Sequence, residues 1–244
     1  MPNHQELTQL LSQAKHHVDE FTDLIADIPY ERKGILFSEM FFFWLCARSV
    51  HPKRILESGR ARGQSTLILS YCFPDAEILS VEYDRNSPDV AIAAERLAGC
   101  SNVRQLFGDA TQLLPTMAQP GDVALIDGPK GYRGIRLALN LLAQGNTPLV
   151  FVHDTATGSP ERDYLAHHMP EVIYSDLPAF AHVAHRLDQG AWNELPERHR
   201  WMGDNPPVAG YGFSLACLPH QTDRSYLLLK LQAILSGTRH RLFK

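Results

Sequence analysis

Apolar residues recur at helical intervals over residues 5–24, at Leu7, Leu10, Leu11, Val18, Phe21 and Leu24, which predicts one or two amphipathic helices. A further helix is expected over 36–49, ending at the His51-Pro52 breaker. Beyond it the period changes. Short, nearly continuous apolar runs at 54–57, 78–82, 103–107, 122–126 and 149–152 alternate with helical stretches near 65–72, 90–98 and 135–142. Strands without a polar face, each followed by a helix, predict a parallel sheet covered on both sides. Two more strand-like runs, 171–174 and 211–218, and a final helix over 223–235 complete the pattern. The fold class expected is therefore α/β, a doubly wound, mostly parallel seven-stranded sheet of the Rossmann-like kind, with N-terminal helices. Residues 1–50 read as an N-terminal helical extension and 51–244 as the α/β domain. Within the latter, 188–210 is rich in Pro, Gly, Trp and charge without periodicity, and is expected to be a long loop or lid.

Composition narrows the partners. The 244 residues suit one large domain. Net charge is −4, and Lys and Arg are scattered among Asp and Glu, so the footprint of a phosphate backbone is missing and a nucleic-acid partner is not expected. Cys46, Cys72, Cys100 and Cys217 form no CxxC pair and read as reduced core thiols. The first residues lack the zones of a signal peptide, so a cytoplasmic location is the expectation. The most apolar stretch, 35–50, carries Glu39 and Arg48 and falls short of the roughly twenty residues a bilayer needs. It reads as a buried helix, with no membrane partner.

The chemistry gathers at the ends of the strands. The first strand runs into Glu57-Ser58-Gly59-Arg60-Ala61-Arg62-Gly63-Gln64-Ser65-Thr66. Glycines at 59 and 63 permit a tight turn and close approach of a ligand, and the helix that follows offers unpaired N–H groups, a combination suited to a nucleotide-like ligand at the carboxyl ends of the strands. An ordinary strand-to-helix turn would look much the same. Nineteen positions beyond Gly63, Glu82 ends the second strand where a carboxylate can accept both hydroxyls of a ribose. Gly108-Asp109-Ala110 ends the third, suited to an adenine edge.

Residues 54–155 resemble class I S-adenosylmethionine-dependent methyltransferases: acid-x-Gly-x-x-x-Gly, an acid after the second strand, Gly-Asp-Ala after the third and Ile126-Asp127-Gly128 after the fourth. The first turn, the Ile126-Asp127-Gly128-Pro129-Lys130-Gly131-Tyr132 segment and Val152-His153-Asp154 are similar to small-molecule O-methyltransferases and to the cephalosporin-hydroxylase-like and macrolide-sugar branch. The resemblance implies S-adenosylmethionine held by Glu57, Gly59, Gly63, Ser65, Glu82, Asp109, Ala110 and Asp127, and transfer of its methyl group to a hydroxyl of a small-molecule acceptor, a sugar or secondary metabolite. A homodimer is compatible with it. The turn departs from the broader pattern at Ala61, where a middle glycine is common. Its neighbours Arg60 and Arg62 either crowd the methionine moiety or pair with its carboxylate.

Asp127 and Asp154 end adjacent strands, so their carboxylates are candidates to hold Mg²⁺ or another divalent cation. The resemblance places Lys130 as a base and Thr155 as a further oxygen ligand. His153 reads equally as a base, a ligand or a structural donor, so Lys130, His153 and Asp154 form the catalytic set. His167-His168 and His182-x-x-His185 lack a third ligand at zinc spacing. The rival reading is a non-catalytic binding or scaffold protein on the same fold. A nicotinamide enzyme comes third, because the GxGxxG spacing is missing.

Overall fold

The apolar stretch expected as a buried helix is α3 (Phe37–Ala47), and all of its residues from Ser38 to Ala47 are buried. A helix apolar around its whole circumference must be covered on every side. Here α1 (His4–Ser12), α2 (Val18–Leu24), α4 (Gln64–Cys72) and α9 (Ala181–Trp192) supply the cover together with the sheet. Phe43 lies 4.4 Å from Phe151 between ring centroids. The N-terminal helices thus share one hydrophobic core with the strands rather than standing apart from them. The computed structural model describes residues 2–31, 33–192 and 214–242.

Seven strands form one sheet: β1 (Arg54–Ser58), β2 (Glu77–Glu82), β3 (Val103–Phe107), β4 (Val123–Ile126), β5 (Leu149–Val152), β6 (Ile173–Tyr174) and β7 (Ala216–Pro219), in the order β3-β2-β1-β4-β5-β7-β6. The pairs from β3 to β5 are parallel, whereas β7 runs antiparallel to both β5 and β6. The doubly wound, mostly parallel seven-stranded sheet expected from the sequence is present. Successive residues of a strand serve opposite faces: Val123 and Leu125 join the core around α3, while Ala124 and Ile126 join a second core. That second core lies under α6 (Ala110–Met117), α7 (Tyr132–Ala143), α8 (Pro160–His168) and α10 (Tyr226–Leu242). The crossover between β2 and β3 is α5 (Asp89–Arg96).

Three helices were not visible in the apolar pattern. Helix α6 carries Pro115 inside it and begins directly at its cap, Asp109, which accepts from Thr111 N–H. Helix α8 does carry a start signal, Ser159 as N-cap with Pro160 in the first turn and the acids Glu161 and Asp163 behind it. Helix α9 corrects the near end of the expected lid: residues 188–192 are helical and Asp188 is completely buried. The remainder of that segment, 193–210, lies outside the described residues. The last helix runs on to Leu242, beyond the expected end at 235, with Leu227, Leu228, Leu231 and Leu235 more than half exposed. No helix among the described residues is long and apolar enough to cross a membrane.

Candidate active site

The strand order reverses at β1, which pairs with β2 on one side and β4 on the other. A crevice opens outside the carboxyl ends of the strands at such a switch point. Gly59 stands there with φ of +86°, and a Cβ on it would come within 2.8 Å of the Asp127 and Gly128 backbone. Only glycine lets the first turn lie this close to the end of β4.

Glu57 and Ser65, both expected to hold cofactor, are instead engaged with each other inside the turn. Glu57 has no exposed surface; Ser65 donates to it at 2.6 Å and Ser80 at 2.5 Å, with Thr66 as a third donor. Burial pushes the Glu57 carboxyl up, against these hydroxyls and the nearby Arg60. The pair shapes the turn from within. Glu82 faces the turn from β2: one oxygen accepts from Ala61 N–H at 2.9 Å and the other from Tyr83 N–H at 2.7 Å. A carboxylate has about four acceptor sites, so capacity remains for a hydroxyl ligand. Asp109 caps α6, and its other oxygen lies 3.7 Å from Arg133; Ala110 is buried at the start of that helix.

The two arginines of the turn both have partners within the protein, although Nε and Nη2 of Arg60 are buried without one. Arg60 is buried beneath the turn, donates from Nη1 to Ser80 O at 2.6 Å, and lies 5.0 Å from the Phe107 ring centroid. Arg62 pairs with Glu31 at 2.9 Å and with Asp89 at 2.8 Å. Between them Ala61 takes φ of +44°, a left-handed conformation that costs a non-glycine residue roughly 1–2 kcal/mol. Ala61→Gly therefore leaves stability unchanged or raises it by up to about 1 kcal/mol, after the larger unfolded-state entropy of glycine is set against the relieved strain. Urea denaturation measures this; a loss above about 1 kcal/mol would mean that Ala61 is unstrained.

Four of the expected residues converge. Asp127, after β4, accepts from His153 Nδ1 at 2.7 Å and from Lys130 Nζ. Lys130 Nζ also reaches Asp154 Oδ2 at 2.7 Å, and His153 Nδ1 lies 3.3 Å from Asp154 Oδ1. Asp154 occupies φ of +62°, a region aspartate tolerates better than most residues. Thr155 is turned away from the cluster: it is fully buried and donates its hydroxyl to Ser214 O at 3.0 Å. Its place as third candidate ligand is taken by His153, since single atoms of Asp127, His153 and Asp154 lie within 4.8 Å of one another.

Two residues from outside the motif region complete the site. Glu39 of α3, 1% exposed, meets His153 Nε2 at 3.3 Å, so the imidazole is held between two carboxylates. Asp188 of α9 accepts from Ser38 N–H at 3.0 Å, next to Glu39. Glu39 Oε1 and Asp188 Oδ2 are buried without hydrogen-bond partners. The sole sequence signal for Glu39 was an acid inside an otherwise apolar helix.

Electrostatics follow from this packing. Burial opposes the charge on His153, but Glu39 and Asp127 outweigh it and hold the imidazole well above its usual range. Burial likewise opposes Asp127, and His153 and Lys130 prevail, keeping its carboxyl low. Lys130, disfavoured by burial, is raised by Asp127 and Asp154. The cluster therefore sets two basic groups, with Lys130 Nζ 3.3 Å from His153 Nδ1, against the carboxylates of Glu39, Asp127 and Asp154. An open cleft of about 700 Å³, lined by Val50, Gly121 and Pro148, lies at the opposite end of the sheet from this chemistry.

No family model matches the chain, and no curated protein matches it. Among solved structures, the chain is similar to the O-methyltransferase TomG from Streptomyces achromogenes, a structure in complex with S-adenosylmethionine. That match has 20% identity and a TM-score of 0.48, covering 84% of this chain and 89% of that one. It is also similar to the S-adenosylhomocysteine-bound methyltransferase PaMTH1 from Podospora anserina, with 19% identity, a TM-score of 0.46 and coverage of 91% and 89%. At these values the likeness assigns no activity, and the functional reading rests on the residues of this chain.

Proposed function

We propose that this protein transfers a methyl group from S-adenosylmethionine to a hydroxyl of a small-molecule acceptor. The observation that carries the reading is the juxtaposition, across one switch-point crevice, of the Gly59–Gly63 turn with Glu82 and of the Lys130–Asp127–His153–Asp154 cluster. The donor set fits the cofactor: Glu82 offers a carboxylate for a diol, Asp109 a further acceptor, and Gly59 and Gly63 a backbone without side chains, while Glu57 and Ser65 support the turn from inside. When bound, the cofactor supplies an electrophilic methyl carbon. What remains for the chain is to position the acceptor oxygen and take up its proton.

The sequence suggested Lys130 or His153 as the base. The carboxylates around both shift them toward the protonated form, which suits them to stabilise an emerging alkoxide rather than to abstract a proton. The carboxylate of Asp154, 40% exposed, is the accessible proton acceptor in this arrangement. A divalent cation such as Mg²⁺ would be held by Asp127, Asp154 and His153 and would polarise the acceptor hydroxyl. It fits only once Lys130 swings out from between the carboxylates and His153 gives up the Nδ1 proton, because a ligating imidazole must be neutral.

Thermal unfolding tests the assignment. S-adenosylmethionine at about a hundred times its Kd adds about 2.7 kcal/mol to stability, which for a domain of this size raises Tm by roughly 5–10 °C. NAD has no such effect, and Glu82→Ala shrinks the response. Repeating the titration with Mg²⁺ or with chelator shows whether a cation contributes. Stabilisation by NAD equal to that by S-adenosylmethionine, or by neither, refutes the reading.

A further inference from the structure

Helix α7 carries Arg133, Arg136 and Asn140 at intervals of three and four residues, a spacing that puts them on one helix face. All three line a polar cleft of about 390 Å³, bounded by Lys230 and Ile234 of α10 and by Asp109 and Thr111 at the end of β3. A neighbouring cleft of about 340 Å³ shares Arg133, Arg136 and Ile234 and is lined in addition by Lys130 of the active-site cluster and by Glu161. Arg133 and Arg136 thus stand between the end of β3 and the cleft that Lys130 lines.

Three cations face the first cleft against one carboxylate. That carboxylate is engaged through one oxygen: Asp109 Oδ1 accepts from Thr111 N–H at 2.9 Å and from its hydroxyl at 2.7 Å, while Oδ2 lies 3.7 Å from Arg133 and keeps acceptor capacity. Arg136 gives Nε to Tyr132 O at 3.3 Å, and Lys230 gives Nζ to the neutral Asn140 Oδ1 at 3.2 Å. Among the described residues neither is ion-paired. Several cations elsewhere in this acidic chain are ion-paired, Arg62 with Glu31 and Asp89, Arg162 with Asp176, Arg224 with Glu171. Like charges three residues apart on a helix repel, and a third cation across the cleft adds to the cost. A bound anion relieves it, and the arginine forks match the oxygens of a phosphate.

We propose that this cleft binds the phosphate group of a phosphorylated acceptor, with Arg133 and Arg136 as forked contacts and Lys230 as a point charge. The inference deepens the methyl-transfer reading and rests on it for the word acceptor; the anion site itself does not depend on that reading.

Calorimetric titration of the full chain without cofactor tests it, using inorganic phosphate, a hexose 6-phosphate and the unphosphorylated hexose. The phosphate ester binds, inorganic phosphate binds more weakly and competes with it, and the free hexose gives no heat. Affinity for the ester falls at least tenfold in Arg136→Gln and further in Arg133→Gln/Arg136→Gln, and it weakens with added salt. Unchanged far-ultraviolet dichroism shows that the variants are folded; if the double variant is not, Arg136→Gln carries the comparison. Absence of binding by both phosphates, or affinity unaltered in folded variants, overturns the site. Inorganic phosphate binding as tightly as the ester assigns a free-anion site and overturns the acceptor role. If the ester binds while S-adenosylmethionine fails to stabilise the protein, the transfer reaction falls and the anion site stands.

Discussion

Asp127→Ala lowers the stability of this protein by about 3 kcal/mol at pH 5–6, because removing one partner of a buried charge pair leaves the other uncompensated. His153 and Lys130 both lean on this carboxylate, and the His153 side chain is only 9% exposed. Glu39 and Asp154 still partner the two cations, so the cost sits at the lower end for buried pairs. For a domain of this length the loss corresponds to a fall in Tm on the order of 10 °C. The pH window follows from the directions of the shifts. The lowered Asp127 contributes stability that is present above its ordinary value of 3.8 and lost as pH falls through the folded one. The raised His153 contributes stability that is complete below its ordinary 6.5 and lost as pH rises through the folded one. The penalty of the substitution is therefore greatest between these values. Asp127→Asn, which keeps an acceptor for His153 Nδ1–H, loses less. Urea denaturation at pH 5.5 decides the matter, and a loss under about 1 kcal/mol for the alanine variant would remove Asp127 from the centre of the cluster.

Asp188→Asn has the opposite sign. Burial pushes this carboxyl from its ordinary 3.8 to about 7, with the charge of Glu39 adding to the effect and hydrogen bonds from Ser38 opposing it. A raised acid is protonated in the folded state where the unfolded chain has already lost its proton. Stability from this group therefore falls as pH rises from about 4 to about 7 and is level above. The full difference is on the order of 4 kcal/mol. An asparagine cannot ionise, still accepts from Ser38 N–H through Oδ1, and brings an amide beside Glu39, whose Oε1 lacks a partner. The variant is expected to match the natural protein near pH 4 and to exceed it by a few kcal/mol at pH 8. The difference between the two stability curves is the measurement. A difference constant from pH 4 to pH 8 would show that Asp188 ionises normally.

The alternation of apolar strands with helices, the acids and glycines at the strand ends, and the cluster of Asp127, Lys130, His153 and Asp154 were all legible along the chain. Each depends on local order: burial on both faces makes a strand uniformly apolar, and residues that close successive parallel strands necessarily arrive at the same edge of the sheet. Side-chain direction was not legible. Glu57 and Ser65 occupy ligand-like positions but point into the turn, and Thr155 turns to Ser214, because each found a nearer hydrogen-bond partner in the interior. Nor could order along the chain show that Glu39 meets His153 over 114 positions, or that Asp188 meets Ser38 over 150. Those meetings depend on how α3 and α9 pack against the sheet. It is that packing which biases the charge of the site: motif residues alone offered bases and metal ligands, whereas two buried carboxylates brought to one imidazole favour its protonated form.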